Sequence, residues 1–281
     1  MPFGASTFVW ASPFGSDTLD LIDKVKAFGF DLIEICVERP ETIDADLIRG
    51  RLAAVDLKAL VCGAFGPDRD MSAEDAAVRE NAAAYLRTCV DIAHALGSPT
   101  VSGPMYAGVG ATTMRSPEER GAQWDRAAAT LRPVADYAAG LGVRLALEPL
   151  NRFETDLINT VEQGLRFLDD LGRSNVGLLI DTFHMNIEEK DIPAAIRRAG
   201  PHIFEFHACA NDRGTPGEDH LPWPAIAAAL GDVNYKGPIV IEAFTPAIKE
   251  IARAVSLWRP LAESEDALAA NGLNHLRRIF G

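Results

Sequence analysis

The sequence predicts a (β/α)8 barrel of the TIM type with a C-terminal helical extension, and three observations carry that expectation. Short apolar or β-branched runs alternate with amphipathic helical stretches along all 281 residues, eight times over. Strands that alternate regularly with helices pair in parallel. Eight such units of about 35 residues each fill the ~250 residues typical of the barrel. The Gly-rich phosphate turn expected after the first strand of a doubly wound nucleotide-binding sheet is missing. No linker rich in Pro, Gly or Ser divides the chain, so residues 1–281 read as a single domain.

In order, the strand candidates are STFVW at 6–10, DLIEICV at 31–37, LKALVC at 57–62, PTVSG at 99–103, VRLALE at 143–148, VGLLID at 176–181, IFEFHA at 203–208 and PIVIEAF at 238–244. Helical patterns fill the gaps, most clearly in the Ala-rich segments 74–96 and 118–139. The tail at 261–280, with ALAANGLNHLRRIF at its core, carries apolar residues beyond the eighth unit. It is expected to pack as a helix on the barrel or on a second subunit.

Side chains alternate across a strand, so each run assigns an inner and an outer face. In Phe204-Glu205-Phe206-His207 the phenylalanines face the helices, which places Glu205 and His207 inside the barrel. The same count turns Glu34, Glu148 and Glu242 inward.

Composition removes several function classes. Lys and Arg number 27 against 40 Asp and Glu, a net charge of −13 that repels phosphate backbones and makes nucleic acid an unsuitable partner. An apolar fraction of 48% suits a soluble protein with a sizeable core. The longest charge-free stretch, between Asp91 and Arg115, is broken by Gly, Ser, Thr and Pro and does not read as a membrane span. Four cysteines without a CxxC pair read as reduced, buried thiols. No basic residue precedes Lys24 and no signal-peptide layout is visible. Cytoplasm is the expected location.

Working residues in such barrels sit at the C-terminal ends of strands. The fifth to eighth strands end in Glu148, Asp181, His207 and Glu242, spaced by 33, 26 and 35 residues, about one unit each time. Any one of them alone is most simply a cap or a solvated loop residue, and Asp181 in particular stands where a helix N-cap belongs. Four in register instead converge on one pocket. Three carboxylates with one imidazole make an oxygen-rich donor set that suits Mn²⁺, Co²⁺ or Mg²⁺ better than a structural zinc.

Other polar residues lie nearby, each with a plainer reading. Glu154 in EPLNRFETD is either functional or solvated, and Arg213 in NDRGTPG is either functional or a surface turn residue. A lone histidine such as His184 is usually packed in the core. Cys209 shares a strand face with His207, yet cysteine most often behaves as a small buried hydrophobe. Glu34 and Glu205 read as residues that orient ligands, not as ligands themselves. Trp10, Phe14 and Tyr106 either wall a pocket or pack under loops.

The runs LALEPLNRFETD, LIDTFHMNIEE, FHACANDRG, HLPW and IVIEAF resemble the D-tagatose 3-epimerase/D-allulose 3-epimerase family of ketose 3-epimerases, xylose-isomerase-like TIM barrels. The resemblance covers nearly the whole chain and is densest from 143 to 244. It implies a Mn²⁺- or Co²⁺-dependent enzyme that inverts C3 of a free ketose, with Glu148, Asp181, His207 and Glu242 on the metal. It also implies that Glu148 and Glu242 form the acid/base pair, that Glu154, His184 and Arg213 hold the O1–O2 end, and that the chain assembles as a homodimer or homotetramer. Two stretches depart from the family: Cys209-Ala210-Asn211-Asp212-Arg213 replaces a Gly-Glu-x-Asn-Arg run, and WASPF replaces a Trp-rich first loop.

The implied chemistry agrees with first principles. A C–H beside a ketone loses its proton to a carboxylate only if the enediolate is stabilised, which a divalent cation on O2 and O3 does. Inversion needs a base on each face of C3. The rival readings are an aldose–ketose isomerase of the hydroxypyruvate or xylose isomerase kind, an inosose dehydratase, an endonuclease IV-like repair enzyme, and a non-enzymatic sugar- or metal-binding module. The repair enzyme requires additional His ligands and a basic groove, and neither is visible.

Overall fold

The computed structural model describes residues 1–281, in which eight parallel strands close into a barrel in chain order. They are β1 Phe3–Ser6, β2 Leu32–Val37, β3 Lys58–Gly63, β4 Thr100–Gly103, β5 Arg144–Leu147, β6 Val176–Asp181, β7 Ile203–His207 and β8 Ile239–Ile241. Helices α1 Asp20–Phe28, α2 Ala45–Val55, α3 Ala76–Leu96, α4 Pro117–Gly140 and α5 Val161–Leu171 follow the first five strands. Two short helices follow β6, α6 Thr182–Glu188 and α7 Ile192–Ala199; then come α8 Trp223–Asp232, α9 Lys249–Ala254 and α10 Glu265–Phe280.

Seven of the eight strands fall on the runs expected from sequence. The first does not. β1 ends at Ser6, and the expected strand at 6–10 is mostly a 3-10 turn over Thr7–Val9. The pairing explains the difference: β1 is held by Gly4↔Leu32 on one side and Phe3↔Ile239 on the other. Past Ser6, whose hydroxyl accepts from the Phe8 N–H, the ladder has ended, and the propensity of Phe8-Val9-Trp10 has no neighbour to act on.

The alternation holds inside the barrel. Ile33, Ile35, Val61, Ile239 and Ile241 belong to the large core between sheet and helices, while Leu32, Leu60 and Val240 form a separate apolar cluster on the inner face. That inner cluster closes the N-terminal end of the barrel and leaves the C-terminal end to polar groups. Helix ends are capped where the sequence provides donors and acceptors; Ser116 and Glu119 form a reciprocal capping box at the start of α4, and Thr160 and Gln163 form another at α5.

The tail is a helix, as expected. α10 packs on α8, β1 and β8, burying Leu273 and Leu276, and Arg277 donates to the Gly29 carbonyl at 2.6 Å. No helix is long and apolar enough to cross a membrane.

Two glycines of opposite setting give a test of the packing. A Cβ on Gly177 in β6 would lie 2.6 Å from the His202 carbonyl oxygen and 2.6 Å from Phe204 Cγ, whereas one on Gly50 in α2 meets nothing within 4 Å. Gly177→Ala is expected to cost about 1–3 kcal/mol through overpacking. Gly50→Ala is expected to gain about 0.5–1 kcal/mol, because alanine gives up less backbone entropy in a helix. Urea unfolding midpoints of the two variants, shifted in opposite directions, check both.

Candidate active site

The C-terminal mouth of the barrel gathers what the strand ends deliver. Asp181 and His207 are the last residues of β6 and β7, and Glu148 and Glu242 follow directly after β5 and β8. One ligand-capable atom from each lies within 4.8 Å of the others, and all four residues are buried. They adjoin a cavity of about 210 Å³ whose polar wall is Glu148, Glu154, His184, Arg213 and Glu242, and whose apolar wall includes Phe8, Phe65, Leu150 and Phe244. A larger cavity of about 360 Å³ lies at the opposite end, lined by Pro2, Leu32, Leu57, Pro99 and Pro238 among others, with Arg49 and Lys58 as its charged groups and no carboxylate or histidine. Barrel chemistry belongs at the C-terminal mouth.

Asp181 has two functions at once. Its Oδ1 caps α6 by accepting from the Phe183 N–H at 2.6 Å, while its Oδ2 accepts from Arg213 Nη1 at 2.8 Å. The cap reading and the site reading are therefore both true, one oxygen each. Arg213 Nη1 also donates to Glu242 Oε2 at 2.7 Å, so the guanidinium bridges two carboxylates. Its Cζ lies 4.1 Å from the Phe183 ring centroid and 5.1 Å from that of Phe244. The backbone at Arg213 has φ of 68°, a left-handed conformation that costs a non-glycine residue roughly 1–2 kcal/mol and aims the side chain inward.

His207 is oriented from behind. Its Nε2 pairs with Glu34 Oε1 at 2.8 Å, with Glu205 Oε1 at 3.6 Å. With Nε2 directed at Glu34, Nδ1 faces Glu242 Oε2 at 3.7 Å and Asp181 Oδ2 at 4.0 Å. Burial opposes charge on the ring, but Glu34, Glu205 and Glu242 outweigh it and hold the imidazole well above its usual range, so a bound cation would replace the Nδ1 proton. That Nδ1 is buried and has no hydrogen-bond partner. A buried imidazole nitrogen without a partner, facing carboxylates and held by a carboxylate behind it, is the arrangement a histidine metal ligand adopts. The bridging position of Arg213 shows that positive charge is accommodated at the same carboxylates. The four residues thus fit a divalent cation, and the oxygen-rich donor set suits a hard or borderline ion.

The carboxyls are not equivalent. Burial, followed by the charges of Glu242 and Asp181, pushes Glu148 well above the usual range. Burial acts on Glu242 too, but Arg213 and His207 outweigh it and hold that carboxyl low. Burial drives Glu205 up to about 8 and His184 down to about 3. His184 is therefore neutral; its Nδ1 lies 3.1 Å from the Asn151 backbone N–H, and its Nε2 lies 3.2 Å from Arg213 Nη2 and 3.5 Å from Glu148 Oε1.

Glu148, Asp181, His207, Glu242, Glu154, His184 and Arg213 are thus brought together, and Cys209 joins them with its Sγ 3.2 Å from Asp181 Oδ2. Trp10 and Tyr106 are not. The Trp10 indole donates to Asp266 at 2.7 Å and stacks on Phe28, because the turn after β1 carries it toward α10. Tyr106 is fully buried and donates to the Ile158 carbonyl at 2.8 Å. Sequence reasoning missed Asn151, whose Nδ2 lies 2.8 Å from Glu154 Oε1 and 2.9 Å from His184 Nδ1. Its signal was the LNRFE run, where it stands three residues before Glu154.

Comparison with known proteins agrees with this geometry. The family model described as xylose isomerase-like TIM barrel matches residues 22–279. The chain is 34% identical to a probable ketose 3-epimerase of Synechocystis sp., over 99% of this chain and 96% of that protein. It is 34% identical to a D-psicose 3-epimerase of Agrobacterium fabrum, over 97% and 95%. The D-allulose 3-epimerase of Methylomonas sp., solved in complex with D-allulose, superposes with a TM-score of 0.93 at 29% identity, covering 99% of this chain and 97% of that one.

Arg213 is the cation that bridges two carboxylates of the metal-free pocket, which predicts its effect on stability. In chelator-treated protein, Arg213→Ala leaves Asp181 and Glu242 buried with only the more distant His207 as counter-charge and is expected to cost about 3 kcal/mol. Urea unfolding against identically treated wild type measures it, and a loss below about 1 kcal/mol contradicts the assignment.

Proposed function

The chain belongs to the ketose 3-epimerase family of xylose isomerase-like TIM barrels, and from that premise we propose that it inverts C3 of a free ketose such as D-fructose, D-allulose, D-tagatose or L-ribulose. The observation that carries the proposal is the pair of buried carboxyls, Glu148 and Glu242, delivered to one pocket from β5 and β8 on either side of Asp181 and His207. Two carboxyls approaching one centre from different strands are what a proton-in, proton-out inversion uses. A cavity of about 210 Å³, below the ~300–1,000 Å³ typical of drug-sized ligands, suits a monosaccharide.

Glu148, Asp181, His207 and Glu242 would hold the cation, with Mn²⁺ or Co²⁺ first and Mg²⁺ third. Once bound, the ion supplies Lewis-acid polarisation of the ketose oxygens, which makes the neighbouring C–H acidic enough for a carboxylate. Glu242 takes the C3 proton of one epimer. Glu148, on a strand separated from that of Glu242 by β6 and β7, returns a proton to the other face; the roles reverse in the opposite direction. His184 presents its Nε2, and Glu154 and Arg213 supply an acceptor and donors, at the O1–O2 end. Asn151 fixes His184 and Glu154 together. The phenylalanine wall excludes water, which strengthens each of these contacts.

The proposal treats 1–281 as one domain, acting in the cytoplasm as a homodimer or homotetramer. Free, buried thiols at all four cysteines accord with a reducing compartment, and the exposed Trp258 and Phe153 accord with a subunit interface.

Turnover in D₂O tests the mechanism. A carboxylic acid exchanges its proton with solvent quickly, so C3-inverted product should carry deuterium at C3. Label at C1 with an aldose product would instead show an isomerase, and product without label would show hydride transfer. Glu148→Gln and Glu242→Gln should each lower epimerisation by roughly 10²–10⁴-fold, with metal content measured in parallel. Exhaustive chelation should abolish turnover and lower the melting temperature, since an ion bound only by the folded chain stabilises it.

A further inference from the structure

Beside the four-residue cluster the barrel mouth holds a second group of donors that the proposed reaction does not use. β2 and β3 pair with Cys36 directly beside Cys62, and both side chains face inward. Glu34, two residues before Cys36, shares its face. The Cys36 and Cys62 sulfurs and a Glu34 oxygen lie within 4.8 Å of one another. All three residues are fully or almost fully buried.

Paired barrel cysteines are ordinarily small hydrophobes, and Glu34 is what separates this pair from that reading. Its Oε1 is committed to His207 at 2.8 Å, with Ser102 Oγ at 3.4 Å. Its Oε2 is buried and has no hydrogen-bond partner, and a polar oxygen left bare in a dry interior is costly. The thiols contact neutral oxygens: Cys36 Sγ lies 3.1 Å from Ser6 Oγ, and Cys62 Sγ lies 3.7 Å from the Gly63 carbonyl. Both are free of disulfides. A route from solvent exists, because Cys62 forms part of the wall of the sugar-sized cavity.

We propose that Cys36, Cys62 and Glu34 form a second cation site, specific for thiophilic ions such as Cd²⁺ or Zn²⁺ and distinct from the oxygen-rich centre beside it. Two sulfurs and one carboxylate select soft or borderline ions, whereas three carboxylates and one imidazole select harder ones. On binding, each thiol S–H breaks as a metal–sulfur bond forms. Two protons leave through the cavity, and Glu34 Oε2 contributes the third bond. The site depends on no assumption about the reaction.

The test is a titration of the manganese-loaded chain with Cd²⁺, read by thiolate-to-cadmium charge-transfer absorbance and by elemental analysis after gel filtration. One Cd²⁺ per chain with the sulfur band present and manganese retained is the expected result. Cys36→Ser and Cys62→Ser should each lose the band. Cys89→Ser should keep it, since Cys89 lies in α3, away from this group. Cadmium NMR of the wild type, whose shift moves downfield with sulfur ligation, reads the donor set even if a variant fails to fold. A band that survives both serine variants, or cadmium that enters only by displacing an equal amount of manganese without a sulfur signal, overturns the proposal.

Discussion

The repulsion among Glu148, Asp181 and Glu242 is the constraint on which the rest of the site depends. At a separation of ~4 Å and an effective dielectric of ~20, two like charges repel by about 4 kcal/mol. Three such pairs approach about 12 kcal/mol, comparable with the ~5–15 kcal/mol net stability of a folded domain. The chain answers in two ways. Glu148 is pushed well above the ordinary carboxyl range, and Arg213 is driven between the remaining two carboxylates at 2.7 and 2.8 Å. The second answer requires a left-handed backbone at a non-glycine residue. Its cost is small beside the repulsion it relieves.

Much of this was legible in the sequence because two periods are strict. Alternation by two along each strand decides which residues enter the barrel, and repetition by about one βα unit decides which of those lie at the same height. Glu148, Asp181, His207 and Glu242 follow from those two counts alone. What the counts could not give is direction off the strands. Trp10 lies one residue beyond the turn that follows β1, and its indole goes to Asp266 in α10, 256 residues away. The opposite error hid Asn151, a residue type so common in loops that only its contacts with His184 and Glu154 mark it.

The first strand shows the same limit at the level of the fold. STFVW has the composition of a strand, but propensity acts only where a neighbour offers a ladder. Pairing with β2 and β8 is complete by Ser6, and the following residues turn to place Phe8 against Phe244, with ring centroids 5.2 Å apart, at the pocket wall. The misplaced strand and the missed wall residue thus have one cause.

Glu34 joins the two halves of the molecule's logic. Below it, Leu32, Leu60 and Val240 close the barrel with apolar side chains alone. Above it, every inward residue at the ends of β5 to β8 is ionisable. Glu34 stands on the boundary with one oxygen on His207, the other without a hydrogen-bond partner, and its carboxylate within 4.8 Å of two thiol sulfurs. A neutral amide there would weaken its hold on the imidazole, and an apolar residue would leave His207 Nε2 buried with only the more distant Glu205 carboxyl beside it. The carboxylate is therefore fixed by the histidine it orients. Its bare second oxygen follows from the same geometry, because a strand position in mid-barrel can face one partner above it and has only the neighbouring strand's side chains beside it.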